Sequence, residues 1–203
     1  MRIVAGEWRG RALTAPPGRD TRPTADRVRQ ALFDMLLHAP WGGRDAVVGV
    51  RVLDAFAGTG ALGLEALSRG AAHATFVERD RAALAALRAN IAALRAEARS
   101  TVLPCDVLHP LTQPSPTGRG LLLPRSVGEG RGEGNAHDLI FLDPPYGENL
   151  IPRGLAALRG SGWIASGALI VAETAREEPL PVSAEPLAQR AHGAAQLTVW
   201  REP

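Results

Sequence analysis

The sequence predicts a doubly wound α/β domain, a mostly parallel sheet with helices on both faces. Three observations predict it. Four short apolar runs between residues 50 and 142 each end near a carboxylate. Helical periodicity fills the two intervals between the first three of them. A glycine-rich turn joins the first run to the first of those helices. Strand, crossover helix and strand repeated in this order build a layered α/β sheet.

The elements follow in chain order. Arg2–Ala5 and Arg11–Thr14 flank Gly6–Gly10 and are expected to form an N-terminal β-hairpin. Ala25–Leu37 reads as an amphipathic helix with Val28, Leu32, Met35 and Leu36 inward. The four runs are Val50–Leu53 before Asp54, Ala74–Val77 before Glu78, Thr101–Leu103 before Asp106, and Leu139–Leu142 before Asp143. Their length and bounding residues suit buried parallel strands. Ala61–Arg69 reads as a helix stopped by Gly70. Arg79–Ala98 places Leu84, Leu87, Ile91 and Leu94 at helical spacing. Gly147–Leu158 looks helical, Ala168–Ala172 is a further buried strand ending at Glu173, and Gln196–Trp200 is the final strand, with a looser stretch between the last two. Thr112–Ala136 mixes proline, serine, glycine and arginine without periodicity, and reads as a solvated low-complexity insertion with no assigned function. Residues 1–203 are thus expected to form a single domain, with 1–23 a basic hairpin or arm and 112–136 an inserted loop.

Composition narrows the class. The 203 residues suffice for one domain with a sizeable core, and 45% hydrophobic content is that of a soluble globular chain. Cys105 is the only cysteine, which excludes an intrachain disulfide framework or thiolate cluster. The five histidines are scattered without zinc-ligand spacing, so no metal is expected. No apolar run has membrane-spanning length and no signal-peptide core opens the chain, so a cytoplasmic location is expected. Every basic residue is arginine. Residues 1–29 hold Arg2, Arg9, Arg11, Arg19, Arg22, Arg27 and Arg29 against Glu7, Asp20 and Asp26, a larger surplus than the net +2 of the whole chain. A basic arm on a nearly neutral body points to a polyanionic partner.

Two motifs carry chemistry. Asp54-Ala-Phe-Ala-Gly58-Thr-Gly60-Ala-Leu-Gly63 lies where a strand becomes a helix, and its glycines allow close backbone approach to a ligand. Asp54, four residues before Gly58, would repel a pyrophosphate and attract a cation. S-adenosylmethionine carries an ammonium and a sulfonium and no phosphate. Glu78 is placed to accept bonds from ribose hydroxyls, and Asp106 from an adenine amino group. Phe56 and Arg79 complete the candidate cofactor-binding set. The second motif is Asp143-Pro144-Pro145-Tyr146. Prolines lack an N–H and hold the chain extended, so the loop presents the Asp143 carboxylate and Pro144 carbonyl as acceptors. An exocyclic amine has two hydrogens to donate, and accepting both draws its conjugated nitrogen towards a reactive geometry. Tyr146 is suited to stack on the base.

With these motifs in place, the chain resembles the RsmD-type 16S rRNA guanine-N2 methyltransferases. The resemblance runs through Ile3–Arg11, Arg22-Pro-Thr-Ala-Asp-Arg-Val-Arg29, Leu32-Phe33, Asp54–Gly63, Leu64–Gly70, Glu78 and Asp143–Tyr146, and departs at 112–136. It implies a Rossmann-like class I methyltransferase fold with a seven-stranded sheet and a small N-terminal hairpin. It also implies S-adenosylmethionine as cofactor and methylation of N2 of a guanine in 16S rRNA, in the assembling small ribosomal subunit; a monomer is expected. Asp54, Glu78 and Asp106 would then hold the cofactor, Asp143, Pro144, Pro145 and Tyr146 the target base, and Arg9, Arg11, Arg22, Arg27 and Arg29 the RNA. The Asp-Pro-Pro-Tyr loop also resembles that of DNA adenine-N6 and protein glutamine-N5 methyltransferases, and a non-catalytic ribosome-assembly protein would share the fold; binding of labelled S-adenosylmethionine separates the last from the others.

Overall fold

The computed structural model describes residues 1–16, 23–108, 136–145, 149–176, 178 and 185–203. Arg22, Tyr146 and nearly all of the 112–136 insertion, each assigned a place above, lie outside the described residues.

A helix α1 (Pro23–His38) precedes the sheet. The sheet strands are β1 (Arg51–Asp54), β2 (His73–Val77), β3 (Ser100–Leu103), β4 (His137–Leu142), β5 (Ile164–Ala175), β6 (Ala188–His192) and β7 (Ala195–Arg201). Helix α2 (Ala61–Ser68) joins β1 to β2, α3 (Arg81–Leu94) joins β2 to β3, and α4 (Leu150–Gly160) joins β4 to β5. The strand order is β3-β2-β1-β4-β5-β7-β6, with β7 antiparallel to β5 and to β6 and the other pairs parallel. No helix among the described residues is long and apolar enough to cross a membrane.

Strand alternation divides the core in two. Val52, Leu139, Phe141, Leu169 and Val171 pack with α1, α2 and α3 on one face. Leu53, Ile140, Leu142, Ile170 and Ala172 pack with Ile151, Leu155 and Leu158 of α4 on the other. Side chains point alternately to the two faces of a strand, so each residue's parity names the face it serves. Helices on both faces are what the buried runs predict.

Three differences from the sequence reading have physical causes. β6, Ala-Gln-Arg-Ala-His, has no buried residue, since it is an edge strand held by pairing with β7 from Ala188↔Val199 to His192↔Ala195. An edge of that kind leaves no apolar pattern to read. β5 extends beyond the apolar run Ala168–Ala172 because its ends pair with β4 and β7 through the backbone. The N-terminal hairpin is reduced to one antiparallel bridge, Arg2↔Ala12, with Ile3 N–H donating to Arg11 O at 2.9 Å and Leu13 N–H to Met1 O at 3.0 Å.

That N-terminal segment is anchored on α2. Val4 and Ala5 donate their N–H groups to the Glu65 carboxylate at 2.8 and 3.0 Å, and Trp8 N–H donates to Ser68 Oγ at 2.9 Å. Gly6 takes φ +80°, and a Cβ there would lie 1.9 Å from the Ser68 carbonyl oxygen, so the approach requires glycine.

Candidate active site

β1 ends by delivering Asp54 to the carboxyl edge of the sheet, 1% exposed. The turn that follows passes through Gly58 at φ +54° and Gly60 at φ +81°, left-handed values that other residues avoid. Helix α2 then begins with free backbone donors, as any helix start does. Gly63 N–H donates to Asp54 Oδ2 at 3.0 Å, tying the strand end to the first turn of α2. Glu78 closes the turn from the neighbouring strand. Its Oε2 accepts from Gly58 N–H at 2.7 Å, and its Oε1 from the N–H groups of Arg79 and Asp80, both at 2.8 Å. Asp106 accepts from Arg79 Nη1 at 2.8 Å and from Leu108 N–H at 3.0 Å.

β1 and β4 are neighbours, with Asp54 beside Phe141, so Asp143 follows two residues further along the adjacent strand. The two acids open onto one cleft of about 640 Å³. Phe56 and Gly58 form its wall on the glycine-turn side, and Leu142, Asp143 and Glu173 form the wall at β4 and β5. Val28 and Leu32 of α1 and the His192–Ala195 turn border the remainder. Pro144, next to Asp143, is buried and Pro145 exposed.

The cleft is electrostatically strained towards the protonated state. Burial pushes the Asp54 carboxyl up to about 7; the Gly63 hydrogen bond opposes the rise and the Glu78 charge adds to it. Asp143 is displaced upward too, first by crowding of protein atoms around it and then by the charges of Glu173 and Asp54. Its outer surface is exposed, and solvent there screens part of the effect without reversing it.

The structure thus gathers Asp54, Phe56, Gly58 and Asp143 around one cavity and joins Glu78 to it through Gly58. Gly60 stands behind the turn, packed against Leu87 and Leu64. Arg79 and Asp106 pair with one another next to Glu78 rather than lining the cleft. Arg9, Arg11 and Arg27 are exposed, and Arg11 donates to the Ala93 carbonyl at 2.8 Å.

Arg29 corrects the sequence reading. It is 4% exposed, donates to the Arg2 carbonyl, and pairs with Asp26 at 2.9 Å and with the fully buried Glu65 at 3.4 Å. A guanidinium committed inward in this way holds the arm to α1 and α2 and is not the exposed cation the sequence predicts. Glu173 is the residue the sequence reading passed over. It ends an apolar run just as Asp54, Glu78 and Asp143 do, but its place in the cleft depends on β5 lying beside β4, which the run itself does not encode.

This sheet order, glycine turn and paired strand-end acids define a Rossmann-like class I methyltransferase fold. The solved structure of yhhF from Escherichia coli aligns over 100% of this chain and 97% of its own, with TM-score 0.76 and 35% identity. The chain belongs to the family described as Conserved hypothetical protein 95, which matches residues 1–119 and 125–201. Among curated relatives, the ribosomal RNA small subunit methyltransferase D of Escherichia coli K12 is 39% identical over 89% of this chain and 78% of its own length. The protein of the same name from Haemophilus influenzae is 35% identical over 89% of this chain and 81% of its own.

Proposed function

We propose that this chain uses S-adenosylmethionine to methylate the exocyclic N2 of a guanine in 16S rRNA, acting as a monomer in the cytoplasm on the assembling small subunit. The observation that carries the reading is that Asp54, beside the glycine turn, and Asp143, beside a diproline, open onto the same cleft. The names of the relatives, both small-subunit rRNA methyltransferases, support the substrate class.

The cleft's chemistry fits this cofactor. Its lining carries Asp54, Asp143 and Glu173, while Arg29, the one arginine among the described residues that borders it, is already paired with Glu65 and Asp26. Such a lining repels a pyrophosphate and favours a cation. Asp54, Glu78 and the Gly58–Gly60 turn would hold the cofactor, with Phe56 against it and the Arg79–Asp106 pair next to Glu78. When bound, S-adenosylmethionine supplies an electrophilic methyl group on a sulfonium.

The remaining work belongs to side chains and backbone of this chain. Asp143 Oδ and the Pro144 carbonyl accept the two amine hydrogens, and this holds the nitrogen lone pair out of conjugation with the ring. Those bonds strengthen as the nitrogen becomes tetrahedral, which is where stabilisation accelerates the reaction. A carboxyl held above the ordinary range, as Asp143 is, is suited to take the proton the nitrogen gives up. Arg9, Arg11, Arg22 and Arg27 supply phosphate contacts that position the RNA.

Small subunits lacking their methyl groups, incubated with tritium-labelled cofactor and digested to nucleosides, should yield labelled N2-methylguanosine. Asp143→Ala should lower kcat by about 100- to 1,000-fold and leave the cofactor Kd within about twofold. A different labelled nucleoside overturns the substrate; equal loss of cofactor binding and turnover makes Asp143 a structural residue.

A further inference from the structure

Among the four bases, three carry an exocyclic amine, and each amine has a ring nitrogen beside it. In adenine and cytosine that nitrogen is an acceptor. In guanine the amine lies between two ring nitrogens, and one of them, N1–H, is a donor. A protein that methylates guanine and no other amine therefore gains most from an acceptor next to the one that grips the amine.

The sheet supplies one. β4 and β5 are parallel with Leu142 opposite Ala172, so the register carries Asp143 to the position beside Glu173. Parallel neighbours lie about 4.8 Å apart. Both side chains lie on the same face: Leu169 and Val171 alternate with Ile170 and Ala172 between the two cores, which puts Glu173 with Val171, and the same count puts Asp143 with Phe141. Both line the cleft, and β7 sets the buried Leu197 against the other side of Glu173. Two acids held side by side repel one another, as the upward displacement of Asp143 by Glu173 registers. A ligand that offers two adjacent N–H groups relieves that repulsion, whereas an N–H next to a lone pair leaves it in place.

We propose that Glu173 selects the base: its carboxylate accepts the guanine N1–H while the Asp143 loop grips the neighbouring amine. This rests on the guanine-N2 reading above and extends it to a specificity-determining residue. An adenine or cytosine in the same pose turns a ring lone pair towards the Glu173 carboxylate and is rejected.

The test replaces the guanine that the wild-type protein modifies with 2-aminopurine, which keeps the amine but has an acceptor at N1. Wild-type kcat/KM should fall about 10- to 100-fold on this RNA, the discrimination a good hydrogen-bonded pair supplies. Glu173→Gln offers its amide N–H to that acceptor or its C=O to the guanine N1–H, so it should treat the two RNAs within about threefold of each other. The thermal midpoint of the same variant should not fall, since the substitution removes one of two adjacent acids. Equal rates of wild type on the two RNAs overturn the assignment without any variant, and so does a Glu173→Gln protein that keeps the wild-type preference. Failure of the underlying reading looks different: the wild-type product is then a nucleoside other than N2-methylguanosine, and the assignment falls with it.

Discussion

Asp54 serves the fold with one oxygen, through Gly63 N–H, and lines the cleft with a carboxyl held near 7. Because this folded-state pKa lies above the ordinary value of 3.8, the carboxyl's contribution to stability is fully present below about 4 and is lost as pH rises through about 7. A cation bound beside it lowers that pKa, so binding and ionisation are linked. S-adenosylmethionine affinity should rise between pH 6 and 8 and level off above the Asp54 pKa, with proton release when binding is measured calorimetrically in buffers of different ionisation heat. Asp54→Asn should flatten the profile. Affinity that is level with pH, or proton uptake, would place the ligand's charge away from Asp54. Asp54 was legible in the sequence because its apolar run leads straight into the glycine turn, whereas Glu173 ends a run with no such neighbour and enters the cleft only through β4 beside it. Arg29 was not legible. Its burial follows from Glu65, which reaches it from another helix 36 residues along the chain.

The glycine turn shows what an element demands beyond its own sequence. Gly63 sits in the first turn of α2 without a left-handed φ, so local conformation does not require glycine there. Packing does. A Cβ at Gly63 would lie 2.4 and 2.9 Å from the Phe76 ring, and Phe76 is fully buried on β2. Gly63→Ala should therefore destabilise the fold by about 1–3 kcal/mol, read from the chemical denaturation midpoint. It should also weaken cofactor binding, because α2 carries the turn. Gly160→Ala provides the comparison: a Cβ there meets nothing within 4 Å, so stability should hold or rise slightly. A Gly63→Ala protein as stable as wild type would show that β2 and α2 shift apart freely. The motif was readable from glycine spacing, but the third glycine's reason was not, since it lies in a side chain of the next strand. β6 marks the opposite limit, an element made by pairing alone.

At the scale of the molecule, apolar runs and crossover helices predict a doubly wound sheet, while the order of its last three strands follows from a reversal at β7 that no run announces. Charge is where whole-molecule reading and residue placement part. The arginine surplus of residues 1–29 is real, yet its members do different work. Arg27 is exposed on α1; Arg29, two residues on, points into the Glu65 network with Arg69, whose Nε lies 2.8 Å from the same carboxylate. Only the exposed member is free to displace counterions from RNA. Arg27→Ala should weaken binding to a single-stranded rRNA fragment and reduce the slope of log K against log salt by about 0.7, with stability unchanged. Arg29→Ala should leave that slope alone and lower the unfolding free energy by about 3 kcal/mol, since it strips a partner from a buried carboxylate. Salt titrations and denaturation curves on the two variants check both halves. An altered salt slope in Arg29→Ala at wild-type stability would return that residue to the RNA-facing surface and remove the clamp between arm and helix.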